Sequence, residues 1–187
     1  MTNSIAIFCG SALGSDQIFS ETARQVGHTI AEQGKTLVYG GGRSGLMGIV
    51  ADSALEAGGQ VIGVIPHVLV DRELAHQGLT ELHVVKDMQE RKLKMSALSD
   101  GFIAMPGGAG TLEEIFEQWT WAQLGIHLKP NAFLNVNGFY DDLLKFLKMT
   151  TDKGFTHARF TDSLIVSDSV KAILKQMDQF QAPEPKW

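Results

Sequence analysis

Residues 106–114, which read Pro-Gly-Gly-Ala-Gly-Thr-Leu-Glu-Glu, are the segment best suited to chemistry. The apolar run 102–105 before them reads as a buried strand, and the apolar residues of 115–121 after them have helical spacing. Between a strand and a helix, a glycine-rich turn presents free backbone N–H groups and the positive end of the helix to an incoming anion. Glycine suits such a turn because a side chain would hold a phosphate away from the backbone. The segment therefore predicts a phosphate site.

Glu114 has two candidate roles in this segment. Thr111 suits the N-cap of the following helix, and Glu114 lies three residues later, which is the spacing of a capping box. The other role is that of a catalytic carboxylate beside the phosphate site. A cap is the more frequent role for this spacing, and the residues alone leave both open.

Arg91 lies among apolar residues in the helix predicted over 88–99. It shares one stripe of that helix with Met88, Met95 and Leu98. A guanidinium on an inward face needs a carboxylate or a ligand phosphate as its partner. The alternative is an arginine near the start of the helix whose side chain extends to solvent.

Two more glycine-rich turns follow apolar strands, at Gly10-Ser11 and at residues 40–45. In a parallel sheet all three turns lie at the carboxyl edge, where open α/β folds bind their ligands. Together the turns predict a phosphorylated small molecule as the ligand. The candidate contacts from the first two turns are Ser11, Gly41 and Gly42.

The glycine pattern favours neither a dinucleotide nor a nucleoside triphosphate. Residues 40–45 satisfy G-x-G-x-x-G, but the next strand ends in Ile65-Pro66, without the acidic residue that holds a dinucleotide's ribose. The G-x-x-x-x-G-K-[ST] pattern of P-loop proteins is absent from the sequence. A mononucleotide fits these turns better than NAD or ATP.

Apolar strands alternate with helices along the chain, which predicts a parallel sheet with helices on both faces. The expected fold is α/β, a single Rossmann-like doubly wound domain over residues 1–187 with a flexible tail at 181–187. The expected strands are 5–9, 36–39, 61–65, 83–85, 102–105, 133–136 and 164–166. The expected helices are 16–33, 46–57, 88–99, 111–124, 140–153 and 169–180.

Composition argues against several other classes of protein. The net charge of −5 and the absence of a Lys/Arg cluster of five or more argue against binding to a nucleic acid polymer. Cys9 is the only cysteine, so intrachain disulfides are excluded. The sequence shows no signal-peptide pattern and no apolar run near the roughly 20 residues of a membrane span, so a cytoplasmic protein without membrane contact is expected. The six histidines lack metal-ligand spacing, and neither a metal nor a cofactor is expected.

The chain resembles the LOG ("Lonely guy") family over residues 5–177. Residues 106–114 match the family signature P-G-G-x-G-T-x-x-E, and Glu90-Arg91-Lys92 matches a motif upstream of it. The other matching segments are 40–42, 45–48, 72–74 and 120–127. Members of this family are cytokinin riboside 5′-monophosphate phosphoribohydrolases, and they have often been mislabelled as lysine decarboxylases.

The resemblance implies hydrolysis of the N-glycosidic bond of a purine nucleoside 5′-monophosphate, with adenine or an N6-prenylated adenine as the base. Such a bond breaks through a transition state that resembles an oxocarbenium ion. Glu114 matches the family's catalytic carboxylate, and Arg91 matches its catalytic arginine. The residues expected to contact the substrate are Glu73, Lys92, Gly108, Ala109, Gly110, Thr111 and Thr120.

Two other glutamates are close to Glu114 in the sequence. Glu117 lies one helical turn beyond Glu114 on the same face and could share the site, whereas Glu113 points about 100° away and suits a structural role.

A non-enzymatic carrier on the same fold, such as a molybdenum-cofactor carrier, would need neither Arg91 nor Glu114. A lysine decarboxylase needs a lysine that binds pyridoxal phosphate, and none lies in the three turns.

The helix over 111–124 also predicts a homodimer. It carries Ile115, Phe116, Trp119 and Trp121, which are spread too widely for one buried stripe. Excess apolar surface of this kind marks an interface, and compact members of the family are dimers. The alternative is a helix buried on both sides within one domain.

Overall fold

The computed structural model describes residues 2–70 and 74–186, and seven parallel strands in them form one sheet. The strand order is β4-β3-β2-β1-β5-β6-β7, so the chain begins at the centre, winds to one edge and then returns to build the other. This order is that of the predicted doubly wound fold. The strands are β1 (Ser4–Phe8), β2 (Thr36–Tyr39), β3 (Val61–Pro66), β4 (Glu81–Val85), β5 (Gly101–Ala104), β6 (Asn131–Leu134) and β7 (Ile165–Ser167).

Helices connect the strands and cover both faces of the sheet, as the sequence predicts. One hydrophobic core joins the sheet to α1, α2 and α8, and a second joins it to α4, α5 and α6. Because successive strand residues point to opposite faces, the neighbours Ile5 and Ala6 belong to different cores. The helices are α1 (Gln17–Glu32), α2 (Gly45–Glu56), α3 (His67–Val70), α4 (Met88–Leu98), α5 (Ala109–Gln123), α6 (Asp141–Asp152), α7 (Ala158–Thr161) and α8 (Val170–Asp178).

The start of α5 differs from the sequence prediction. Its N-cap is Gly108, whose backbone is extended and which has no side chain to accept a capping hydrogen bond. Thr111 is the third residue of the helix and only 4% exposed. The capping box considered for Thr111 and Glu114 is therefore wrong, because the N-cap lies three residues earlier than that motif requires. Glu114 is left without a capping role.

Residues 181–186 lie against the C-terminal end of α5. The backbone N–H of Lys186 donates to the carbonyl of Gln123 at 2.8 Å, and Arg159 donates to the carbonyl of Pro185 at 3.1 Å. The flexibility expected of this segment stays a prediction, but these contacts give it a defined position. Among the described residues, no helix combines the length and apolar character needed to cross a membrane.

Candidate active site

A cavity of about 630 Å³ opens at the carboxyl edge of the sheet, where the sequence places the glycine-rich turns. Its walls come from the ends of β1, β2 and β3, from α4 and from the first turns of α5. Residues from distant parts of the sequence meet here because all the strands are parallel. The predicted site residues that line the cavity are Ser11, Gly42, Arg91, Gly108, Ala109, Gly110, Thr111 and Glu114.

Three of the predicted site residues that the structure describes do not line the cavity. Gly41 has a φ of 72° and packs its backbone against Ile65, so it shapes the turn from behind. Thr120 is exposed two turns along α5 from the cavity, and Lys92 bonds to carboxylates instead. Glu73, which is expected to contact the substrate, lies outside the described residues. The contacts of these residues with substrate stay predictions.

The glycines at the start of α5 differ in what surrounds them. A Cβ at Gly107 would overlap the side chain of Thr111, so this glycine allows the turn to pack closely. A Cβ at Gly108 or at Gly110 would meet nothing within 4 Å, so both border open space. The first N–H groups of a helix lack partners within the helix and carry partial positive charge. This end of α5 is a suitable site for a phosphate.

Arg91 is buried, as its place in an apolar stripe predicts, and the alternative that its side chain extends to solvent is wrong. Only 8% of the residue is exposed, and its guanidinium donates from Nε to the carbonyl of Val64 at 3.1 Å and from Nη2 to that of Gly40 at 3.2 Å. Nη1 lies 3.7 Å from Oε1 of Glu114. The guanidinium is therefore fixed by two strand ends and faces the carboxylate. A Cβ at Gly40 would overlap Nη2, so the glycine makes room for the arginine.

Glu114 is 9% exposed, and burial raises the pKa of its carboxyl from an ordinary 4.5 to about 7. Arg91 opposes this effect, Glu113 adds to it, Lys92 opposes it and Glu117 adds to it. The 3.7 Å ion pair is too long for a strong hydrogen bond, so the carboxylate keeps capacity for a ligand. Glu114 can therefore change its charge near neutral pH, which suits an acid–base or electrostatic role in catalysis.

The two rival glutamates are arranged differently from the sequence expectation. Glu113, expected to be structural, borders the cavity, whereas Glu117, expected to share it, does not line it. Both carboxylates bond to Nζ of Lys92, Glu117 at 3.0 Å and Glu113 more closely. The i, i+4 spacing of the two glutamates indicates that their side chains lie side by side on α5. It does not indicate which cation they bind.

Cys9, a buried residue directly after β1, also lines the cavity. Burial, followed by the charge of Glu114, raises the pKa of its thiol. The sulfur therefore stays neutral and contributes apolar surface rather than a nucleophile. Among the described residues, no group of three or more His, Cys, Asp or Glu side chains is arranged to hold a metal ion.

Solved structures with this fold include the molybdenum cofactor binding protein from the phototrophic bacterium Rippkaea orientalis. It superposes with a TM-score of 0.73 over 96% of this chain and 97% of its own, at 20% identity. The molybdenum cofactor carrier protein from Chlamydomonas reinhardtii gives a TM-score of 0.72 over 96% and 99%, at 21% identity. At this level of identity the two likenesses establish the fold alone.

Sequence relatives are much closer. A family model described as possible lysine decarboxylase matches residues 47–177. A probable cytokinin riboside 5′-monophosphate phosphoribohydrolase of Oryza sativa subsp. japonica is 41% identical over 98% of this chain and 85% of its own. A cytokinin riboside 5′-monophosphate phosphoribohydrolase of Arabidopsis thaliana is 42% identical over 95% and 82%. With this identity over nearly its whole length, the chain belongs to the LOG family of cytokinin riboside 5′-monophosphate phosphoribohydrolases.

Proposed function

We propose that the protein hydrolyses the N-glycosidic bond of adenosine 5′-monophosphate or of its N6-prenylated analogue. The products are the free base and ribose 5-phosphate. The observation that carries this proposal is the pair formed by Arg91 and Glu114 beside the open N-terminus of α5. One end of the cavity suits a phosphate, and a carboxylate with a pKa near neutrality lies in the same cavity.

The glycine-rich start of α5 holds the 5′-phosphate in this mechanism. Backbone N–H groups of residues 108–111 bind its oxygens, and Ser11 adds a hydroxyl from the β1 turn. Gly42 borders the same cavity from the β2 turn. Binding the phosphate positions the ribose, so C1′ comes to lie near the carboxylate of Glu114.

Ionised Glu114 stabilises the positive charge that develops at C1′ as the bond to the base breaks. The bonding electrons leave with the base, which takes up a proton, and the hydroxyl group of a water molecule adds to C1′. Burial makes the carboxylate effective because a low-dielectric surrounding strengthens its attraction for the cation. The same burial raises its pKa, so the charged form becomes fully populated only above about pH 7.

Arg91 supports the charge of Glu114 and does not donate a proton. An arginine pKa above 12 excludes proton transfer at neutral pH. Its position is fixed by the carbonyls of Gly40 and Val64, and it lowers the pKa of the carboxyl that it faces. The guanidinium keeps hydrogen-bonding capacity toward the departing base or the phosphate.

A carrier and a decarboxylase fit the cavity less well. A carrier needs the phosphate site but gains nothing from a buried, weakly paired carboxylate, whose burial costs stability. Among the described residues that line the cavity there is no lysine for a pyridoxal phosphate Schiff base.

Incubation with AMP and with N6-isopentenyl-AMP, followed by chromatography for the free bases, tests the proposal. Absence of either base, with nucleotide binding retained, would favour the carrier.

We also propose that the protein is a cytoplasmic homodimer. Trp119 and Ile115 are buried in the domain, which accounts for part of the apolar surface of α5. Beyond its C-terminal end, Ile126 is 63% exposed and Leu128 is 58% exposed, and Leu93 on α4 is 51% exposed. These residues are candidates for a partner surface. Light scattering that gave only the 20.4 kDa monomer at micromolar concentration would exclude the dimer, and cell fractionation tests the compartment.

A further inference from the structure

Lys92 is a buried cation whose partners are two glutamates of the neighbouring helix. Its side chain is 9% exposed, and Nζ donates to Glu113 and, at 3.0 Å, to Glu117. Burial by itself would lower the pKa of Lys92, but the two carboxylates outweigh that effect and raise it. The ammonium is therefore charged at neutral pH, and it donates hydrogen bonds to two carboxylates of α5.

Arg91, the residue before Lys92 on α4, is likewise paired with a carboxylate of α5, that of Glu114. Arg91 and Lys92 are consecutive, and the guanidinium of the first faces Glu114 while the ammonium of the second bonds the carboxylates on either side of it in the sequence. Two cations of α4 thus meet three carboxylates of α5. We call these five residues, Arg91, Lys92, Glu113, Glu114 and Glu117, the ionic cluster. Without Lys92, three carboxylates within one and a half helical turns would share one cation.

We propose that Lys92 is a positioning residue for Glu114 and acts through Glu113 and Glu117, in place of the substrate contact expected from the sequence. The proposal rests on the catalytic role of Glu114 proposed above. By holding the flanking carboxylates, Lys92 fixes the first turns of α5 against α4. It also compensates the negative charge that would otherwise keep Glu114 protonated.

The charged and titratable groups that face Glu114 come from three elements. They are Cys9 at the end of β1, Arg91 and Lys92 on α4, and Glu113 and Glu117 on α5. The two flanking glutamates raise the pKa of Glu114, and Lys92 lowers it. Removing the ammonium therefore raises the pKa of Glu114, because the cation that opposes the two flanking carboxylates is lost.

The test compares Lys92→Met, which keeps the aliphatic stem, with Lys92→Arg, which keeps the charge. In the methionine variant the acid limb of the kcat/KM profile should move up by about one pH unit, and activity at pH 6 should fall about tenfold. KM for AMP at pH 8.5 should change little, and arginine should restore most of the profile. Lys94→Met, two residues further along α4, is the control and should match the wild type.

A substrate contact gives a different result. If Lys92 binds the nucleotide, methionine raises KM at every pH and leaves the acid limb in place, and that outcome would overturn the proposal. Should Lys92→Met fail to fold, the double variant Glu113→Gln/Glu117→Gln tests the same electrostatics. It should move the acid limb down, because both carboxylates raise the pKa of Glu114.

A readout that does not depend on turnover separates this proposal from the proposed function. Carboxyl-detected NMR titration of Glu114 should show a higher pKa in Lys92→Met than in the wild type. A raised pKa in a protein that does not hydrolyse AMP would refute the enzyme and keep the role of Lys92. An unchanged pKa in an active enzyme would refute the role of Lys92 and keep the function.

Discussion

Replacing Glu114 with glutamine should make the protein more stable at alkaline pH while it destroys activity. The substitution keeps the shape of the side chain and removes its charge. Burial raises the pKa of this carboxyl from 4.5 to about 7, a difference of about 2.5 units. At about 1.4 kcal/mol per unit, the charged carboxylate costs the native state about 3.5 kcal/mol.

The sign of this effect follows from proton binding. Between pH 4.5 and about 7 the unfolded chain has released the proton of Glu114 while the native protein still holds it, so the native state loses stability as pH rises. Above about pH 7 both states are ionised and the full cost is present. At pH 4 both states are protonated, and the glutamine variant should match the wild type.

Calorimetry at pH 4 and pH 8 checks the stability part of the prediction. At pH 8 the Glu114→Gln protein should melt about 7–14 °C above the wild type, since 1 kcal/mol shifts Tm by about 2–4 °C in a domain of this size. In the same preparation kcat for AMP should fall about 10²- to 10³-fold, which is the usual effect of losing one electrostatic contribution at a dry site.

Two results would refute this reasoning. An equal Tm difference at pH 4 and pH 8 would mean that Glu114 is not held with a raised pKa. Near-normal turnover would exclude Glu114 as the catalytic carboxylate and leave its neighbours as candidates. Of these, Glu113 borders the cavity, whereas Glu117 does not line it.

Three further predictions concern the rest of the cavity. Arg91→Ala should lose most activity, and the double variant Arg91→Ala/Glu114→Gln should be little worse than either single variant, because the two groups act as a unit; additive losses in kcat/KM would contradict this. Gly40→Ala should fold, as circular dichroism would show, but its kcat should fall nearly as far as that of Arg91→Ala, since the added methyl displaces Nη2. A normal kcat would contradict this prediction. Adenosine should be a far poorer substrate than AMP, and comparable kcat/KM values would remove the phosphate role of residues 108–111.

The fold and the position of the cavity could be predicted because their signals are local. Apolar strands that alternate with amphipathic helices specify a covered parallel sheet, and glycine-rich turns after the strands identify its ligand edge. The inward position of Arg91 was likewise visible as an interruption of an apolar stripe. Such patterns depend on neighbours within one or two helical turns.

The parts that could not be predicted depend on which elements meet in space. The sequence pattern places the N-cap of α5 at Thr111, whereas the backbone geometry places it at Gly108. The partners of Lys92 lie on another helix, more than 20 residues along the chain. Sequence spacing predicts the face of the helix on which a residue lies. It does not predict which other element packs against that face.

The three consecutive glycines after β2 lie at the predicted ligand edge of the sheet, but binding a phosphate is not their only purpose. Their pattern suggested a phosphate turn, yet they serve different purposes in the structure. Gly40 makes room for the guanidinium of Arg91, Gly41 adopts a positive φ that brings its backbone against Ile65, and Gly42 borders the cavity. A dinucleotide turn would bring its phosphate to these N–H groups and need an acid at the end of β3. Here the guanidinium of Arg91 occupies the space beside Gly40 instead, and in the proposed mechanism the β2 turn contributes by holding this arginine.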